Sequence, residues 1–307
     1  MNKEYAKDFS VIVPVWRGAV RFLPKLFDSI PEKDGIEIIV VDNSKELVSR
    51  EEIDSQREIT LLHSAPERHA GGSRNDGMAV AKGKWLLFAD ADDFYTQDAF
   101  DIYYEHINTD AEIVYTGMGG IYEDTGEQSD RGDKYIKFVH DYCIGAIDEM
   151  ELRIRFSSPC CKMVSHALVD REQLRYDEIR AGNDIYFSLT SGFYAKKIDA
   201  VDKVTYIATF KRGSLMQRRD FEVIYARLYS KLHCNQFLKK QGLSKYQHSI
   251  MVFLFEARKF GLVKFCKLMK MVIRFKQNPF IGFSRWFNTF KRYNNKNKKN
   301  AKYIVYE

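Results

Sequence analysis

The chain has 307 residues, 45% of them hydrophobic and 29% charged. That is enough apolar material for one large α/β domain with an appendage, and it excludes global disorder. The formal charge of +6 averages two unlike parts: Ala257 to Tyr306 holds 14 Lys or Arg and no Asp or Glu, leaving 34 basic against 41 acidic residues before Ala257.

The first residues carry Lys3, Glu4, Lys7 and Asp8 and show no signal-type apolar stretch. Phe9 to Val13 is a short apolar run ended by Pro14, as expected of a strand buried on both faces. Val20, Leu23, Leu26, Phe27 and Ile30 follow at helical spacing. Ile36 to Val41 is a second buried strand, stopped by the turn sequence Asp42-Asn43-Ser44. Ile59 to Leu62 reads as a third strand, and Gly71 to Gly83 as loop and then helix. Trp85 to Ala89 is a further buried strand that runs into Asp90. A helix from about Thr96 to Ile107 and a strand from about Glu112 to Thr116 complete an alternating pattern, which predicts a mostly parallel sheet flanked by helices.

Beyond residue 116 the pattern weakens. Residues 117–209 read as irregular, with order returning near Phe156 and from Asp184 to Phe193. After Arg219 the chain reads as helical almost to Phe275, with breaks at Pro279 and Gly282 and a frayed stretch from Tyr293 to Lys302. The expected domains are therefore 1–215, with a nucleotide half of about 1–116 and an acceptor half of about 117–215, and a basic helical region over 216–307.

Five scattered cysteines (Cys143, Cys160, Cys161, Cys234, Cys266) with no Cys-x-x-Cys pair argue against a disulfide framework or a zinc site and suit a reducing compartment. No apolar run reaches the length of a membrane-spanning helix, so the expected location is the cytoplasm.

Ligands of such sheets bind beyond the carboxyl ends of the strands. Pro14-Val15-Trp16, Asp42-Asn43-Ser44 and Asp90-Ala91-Asp92 each follow a strand, so three polar or aromatic clusters converge on one edge. Two carboxylates spaced i, i+2 can share a hard cation with a diphosphate, although a bare Asp-x-Asp is more often a solvated turn. Gly71-Gly72-Ser73-Arg74 opens a helix, where backbone N–H groups favour anions. Arg74 is placed to hold a phosphate or to pair with Asp90, or else to face solvent. Asp42 is a candidate partner for a base or ribose and Trp16 a stacking ring, against the plainer roles of turn former and core residue.

The order Ser10-Val11-Ile12-Val13-Pro14-Val15-Trp16, Val40-Val41-Asp42-Asn43-Ser44, Gly72-Ser73-Arg74-Asn75-Asp76-Gly77 and Ala81 to Asp93 resembles the family 2 glycosyltransferases with a GT-A fold. The resemblance spans roughly Phe9 to Ser214. It implies inverting transfer of a sugar of hexosyl type from a nucleotide sugar, usually a UDP-sugar, with Mn²⁺ or Mg²⁺. By motif match Pro14, Val15, Trp16 and Asp42 line the nucleoside pocket, Arg74 lies near the base or diphosphate, Asp90 with Ala91 near the ribose, and Asp92 on the metal. Asn183-Asp184-Ile185-Tyr186-Phe187 resembles the family's Glu-Asp-x-x-Phe segment with Asn183 in place of Glu, so Asp184 matches the base that takes the acceptor proton. The plainer role for Asp184 is a helix cap. Trp16-Arg17 replaces the frequent Tyr-Asn, and the turn after Val41 is shorter than usual. Ser158 to Lys162 resembles a stretch preceding the acceptor region, and Lys211-Arg212-Gly213-Ser214 is either a closing basic loop or a solvated charge run.

In the tail, Lys264, Lys267, Lys270 and Arg274 fall on one side of a helical wheel and Phe265, Leu268, Met269, Val272 and Phe275 on the other. Trp286, Phe287 and Phe290 add aromatics. Such a helix suits the surface of an anionic membrane through residues 257–302, peripheral on the inner face of the plasma membrane, with the apolar side packed on the catalytic domain as the alternative. No nucleic acid is expected. The expected acceptor is a glycan or a lipid-linked oligosaccharide. The processive members' Gln-x-x-Arg-Trp motif is not found, which favours transfer of single residues. A haloacid-dehalogenase-type phosphatase, which also carries Asp-x-Asp, is disfavoured by Phe94 where that group has Thr or Val. A catalytically inactive nucleotide-sugar-binding or scaffold protein of the same fold is the remaining alternative.

Overall fold

The computed structural model describes residues 4–53, 57–210 and 220–281. It contains two compact units, Met1–Met216 and Gln217–Glu307.

The first unit is built on one eight-stranded sheet. Its strands are β1 (Lys7–Val15), β2 (Ile36–Asp42), β3 (Thr60–His63), β4 (Gly83–Phe88), β5 (Phe94–Tyr95), β6 (Ile113–Tyr122), β7 (Lys162–Ser165) and β8 (Ile198–Phe210), in the spatial order β3-β2-β1-β4-β7-β6-β8-β5. Pairings of β1 with β2 and β4, of β2 with β3, and of β6 with β8 are parallel; β7 and β5 are antiparallel to their neighbours. The helices are α1 (Leu23–Asp28), α2 (His69–Val80), α3 (Ala99–Glu105), α4 (Asp133–Cys143), α5 (Glu149–Arg155), α6 (His166–Glu172) and α7 (Asn183–Tyr194). The runs that read as strands buried on both faces form the sheet centre: Val11, Ile12, Val13, Ile39, Val40, Leu86 and Leu87 are all buried.

Pro14 lies in the central strand β1, where a missing N–H usually breaks a ladder. It is accommodated because the β1–β4 pairing ends at Ile12–Phe88, so the side of Pro14 that faces β4 has no ladder to join. The same departure of β4 opens the sheet edge at which Ala89 to Asp92 turn away.

Three expectations are corrected. Residues 117–209 are ordered, holding two strands, four helices and most of β6; β8 is half polar along its first part, which masks it as a strand. Gly71 and Gly72 are not in a loop but inside the first turns of α2, and a Cβ on Gly71 would lie 2.1 Å from the Asp177 carbonyl oxygen. The smallness of Gly71 lets α2 pack against the Asp177 backbone, and that of Gly72 makes room for the Arg68 side chain. The helix expected over 96–107 is the shorter α3.

Among the described residues the second unit holds three α-helices: α8 (Phe221–Lys240), α9 (Met251–Ala257) and α10 (Leu262–Arg274). Asp220 caps α8, accepting from the Val223 N–H at 3.1 Å. The chain reverses after Gly242, at φ +74°, and Asn235 braces the return by bonding the His248 backbone through both ends of its amide at 2.6 and 2.8 Å. Phe221, Ile224, Leu228, Phe253, Leu254, Leu268, Met271 and Val272 form its core. Phe265, Leu268, Met269, Val272 and Phe275, the face expected to meet a membrane or the catalytic domain, instead pack on this unit's own core. The Lys211–Ser214 loop, Trp286, Phe287, Phe290 and Tyr293–Lys302 lie outside the described residues.

Candidate active site

The ends of β1, β2 and β4 meet on one edge of the sheet, because these strands run parallel. Val15 pairs with Asp42 there, which sets Trp16 beside Asn43 and Ser44. An open cleft of about 320 Å³ is lined by Trp16, Arg17, Asn43, Ser44, Lys45 and Glu46. The Trp16 indole is 64% exposed, unusual for the largest side chain, and its other side lies on Gly18, where a Cβ would come within 2.1 Å of the ring. The Arg17 N–H donates to Ser44 Oγ at 2.6 Å, and the Arg17 guanidinium holds Glu52 and the Leu47 carbonyl, which fixes the far wall.

Asp42 is held by the turn that follows it. Its carboxylate is buried and accepts from the Ser44 N–H at 3.0 Å, the Ser44 hydroxyl at 2.5 Å and the Val48 N–H at 2.9 Å, with His63 Nδ1 at 3.3 Å. These partners shape the cleft's wall and leave the lining to Asn43 and Ser44. Pro14 and Val15 are buried within β1 behind Trp16.

The acidic turn is held from two sides. Arg74 on α2, 4% exposed, donates to Asp90 Oδ1 at 2.5 Å and to Asn183 Oδ1 at 3.0 Å. Burial alone would lower the affinity of this guanidinium for its proton; Asp90, with smaller help from Tyr176, Cys160 and Asp184, reverses that and raises it. Its neighbour Asn75 pairs with the backbone of Tyr176 in both directions, at 2.8 and 3.0 Å. From the other side, the Tyr206 hydroxyl on β8 accepts from the Asp90 N–H at 2.9 Å and donates to Asp93 Oδ2 at 3.0 Å. Asp93 Oδ1 also accepts from the Thr209 N–H at 2.7 Å, and Arg131 donates to the Thr209 carbonyl.

Between these supports Ala91 is buried and Asp92 is half-buried. Burial and the nearby Asp90 raise the Asp92 pKa, and Arg131 opposes them. Among the described residues no group of three His, Cys, Asp or Glu side chains is placed to cage a metal ion. Asp184 stands in the first turn of α7. It is not the cap residue, a position that Gly182 takes at φ +73°. Burial raises the Asp184 pKa, chiefly against the pull of Arg74. Lys162, the first residue of β7, is buried with its Nζ 5.7 Å from the centres of the Tyr115 and Phe156 rings, and burial lowers its pKa to about 8.

Trp16, Arg74, Asp90, Asp92 and Asp184 were legible as candidates. Asp93, Arg131 and Tyr206 were not assigned a role: Asp93 is a fourth residue in an acidic run, and Tyr206 lies 116 residues from its partner Asp90.

Residues 10–171 match the sequence profile described as glycosyl transferase family 2. The chain belongs to this family. Among curated proteins, this glycosyltransferase is 25% identical over 236 residues to the glycosyltransferase GlyG of Streptococcus pneumoniae, a match covering 71% of this chain and 75% of GlyG. It is 25% identical over 222 residues to TarS, a poly(ribitol-phosphate) beta-N-acetylglucosaminyltransferase of Staphylococcus aureus, covering 68% of this chain but 36% of TarS. Among solved structures, residues 1–349 of S. aureus TarS in complex with UDP-GlcNAc superpose with a TM-score of 0.53 at 20% identity, covering 75% of this chain and 70% of that one. The family 2 enzyme therefore has the GT-A fold. Among its described residues no helix is long and apolar enough to cross a membrane.

Proposed function

We propose that the enzyme moves one sugar residue from a UDP-sugar to a hydroxyl of a glycan or lipid-linked oligosaccharide, with inversion at the anomeric carbon. The observation that carries this reading is the pair of hydrogen bonds that Arg74 donates, to Asp90 and to Asn183, which puts the acidic turn and the head of α7 within one side chain of each other. The UDP-GlcNAc and UDP complexes of the TarS neighbour support a UDP-sugar donor.

The nucleoside stacks on the free face of Trp16 in the cleft beside Asn43 and Ser44. Asp92, with Asp90 beside it, would hold a hard cation such as Mn²⁺ or Mg²⁺, ions that take one or two carboxylates. When bound, that ion supplies positive charge to the departing diphosphate. Asp184 takes the proton of the acceptor hydroxyl as its oxygen attacks the anomeric carbon from the face opposite the diphosphate, and the raised pKa of Asp184 suits a base.

The exposed face of α10 supports a second part of the reading, contact with an anionic membrane surface. Leu262, Val263 and Ile273 are 76%, 84% and 69% exposed, and they lie among the exposed Lys264, Lys267, Lys270 and Arg274. Aliphatic side chains enter a headgroup layer but offer nucleic-acid bases nothing to stack on. Vesicles with and without anionic lipid, sedimented with the full chain, test this; equal binding to both removes it.

The donor is tested by screening a panel of nucleotide sugars for nucleotide release with Mn²⁺. UDP release that is lost on chelation and in Asp92→Asn is the expected result. No nucleotide binding at all would remove the reading.

A further inference from the structure

Asn183 stands where the resemblance leads one to expect an acid, and its surroundings give it a task. Arg74 is almost fully buried and its two amino groups are divided between Asp90 and Asn183. Asn183 accepts with Oδ1 while its Nδ2 donates to the Ile179 carbonyl at 3.3 Å, and its own carbonyl accepts from the Asp177 N–H at 3.3 Å. Gly182, at the helix N-cap, brings no side chain to the first turn of α7. The bond from Arg74 is therefore a fixed link between that turn and the acidic turn after β4.

We propose that Asn183 is a positioning residue: by accepting Arg74 it holds the adjacent Asp184 at a set place relative to Asp90 and the donor. The proposal rests on the reading of Asp184 as the base. A neutral amide suits this link because it accepts the guanidinium without adding charge. An acid at 183 would compete with Asp90 for Arg74 and stand next to Asp184, making three carboxylates around one guanidinium. The charged and titratable groups that face Asp184 are Arg74 from α2, Asp90 from the acidic turn, Lys134 and Tyr135 from α4, Lys162 from β7 and Tyr176 from the segment before α7. A new carboxylate at 183 is added to that set at its closest point.

The test uses full-length Asn183→Leu, Asn183→Asp and Asp184→Asn. UDP affinity is measured with Mn²⁺ by calorimetry, and kcat, KM and the pH profile are measured for UDP release from the UDP-sugar that the parent hydrolyses. Asn183→Leu lowers kcat by on the order of ten- to a hundredfold, because a small misplacement of a reacting group has that effect. Its UDP affinity stays within about twofold of the parent, as for a residue that acts on chemistry alone. Asn183→Asp moves the acid limb of the profile to higher pH. Parental kcat in Asn183→Leu together with an unmoved limb in Asn183→Asp overturns the proposal, and so does a fall of kcat, UDP affinity and melting temperature together. Turnover surviving in Asp184→Asn instead overturns the base assignment on which the proposal stands.

Discussion

Tyr206 and Asp93 lie 113 residues apart in the chain and are joined by a hydrogen bond of 3.0 Å, which ties the acidic turn to the strand on the far side of the sheet. The same hydroxyl accepts from the Asp90 N–H, so one oxygen holds both ends of the turn. Tyr206→Phe deletes both bonds and leaves a half-buried N–H and a buried carboxylate short of a partner. Unfolding measurements are expected to show a loss of about 1–3 kcal/mol. UDP affinity in the presence of Mn²⁺ is expected to fall as well, since Asp92 sits between the two tied residues. An unchanged affinity would mean that the turn holds its shape without β8.

Gly18 matters through what it lacks. The Trp16 ring occupies the space a Cβ would fill. Gly18→Ala pushes the indole out of its present plane, so donor KM rises several-fold while kcat changes little, the pattern of lost ground-state binding. Steady-state kinetics with the donor varied would show it. A drop in kcat at constant KM would place Trp16 outside the nucleoside pocket.

Lys162 is a buried amine whose Nζ has no hydrogen-bond partner, and burial lowers its pKa from 10.5 to about 8. The unfolded chain then binds more protons than the folded one between those values, so stability rises with pH across that window and carries the full penalty below it. At 1.36 kcal/mol per pH unit the penalty at neutral pH is about 3 kcal/mol. Lys162→Met is expected to raise the melting temperature at pH 7, with the gain shrinking towards pH 10. A gain independent of pH would show that the amine is not the cause.

Asp184 has its pKa raised by burial. A carboxyl of this kind adds stability while protonated, present below its unfolded value and lost as pH rises through its folded value. Asp184→Asn is therefore expected to melt above the parent at neutral pH, where the parent keeps a buried charge. In the parent, UDP release is expected to rise with pH along a limb above the ordinary carboxylate range.

How much of this was legible follows from where the information sits. Buried strands announce themselves by apolar runs, so the edge carrying Trp16, Asp42 and Asp90 could be placed from local sequence alone. Asp42 was legible in place, but its partners were not, because Val48 and His63 come from two later segments. Tyr206 gave no signal, since β8 is half polar and the partners of that hydroxyl are more than a hundred residues away. The α10 wheel separated its two faces correctly, but periodicity does not say what an apolar face meets. Here it meets α8 and α9.

The central claim is that Asp184 takes the acceptor proton at a donor site it does not itself form. Its most direct test compares Asp184→Asn with the parent, pairing UDP affinity in Mn²⁺ with the rate of UDP release from the hydrolysed donor. The predicted result is parental affinity with a rate lower by about a hundredfold or more, as for loss of a general base. A rate within a few-fold of the parent at the same affinity would contradict it.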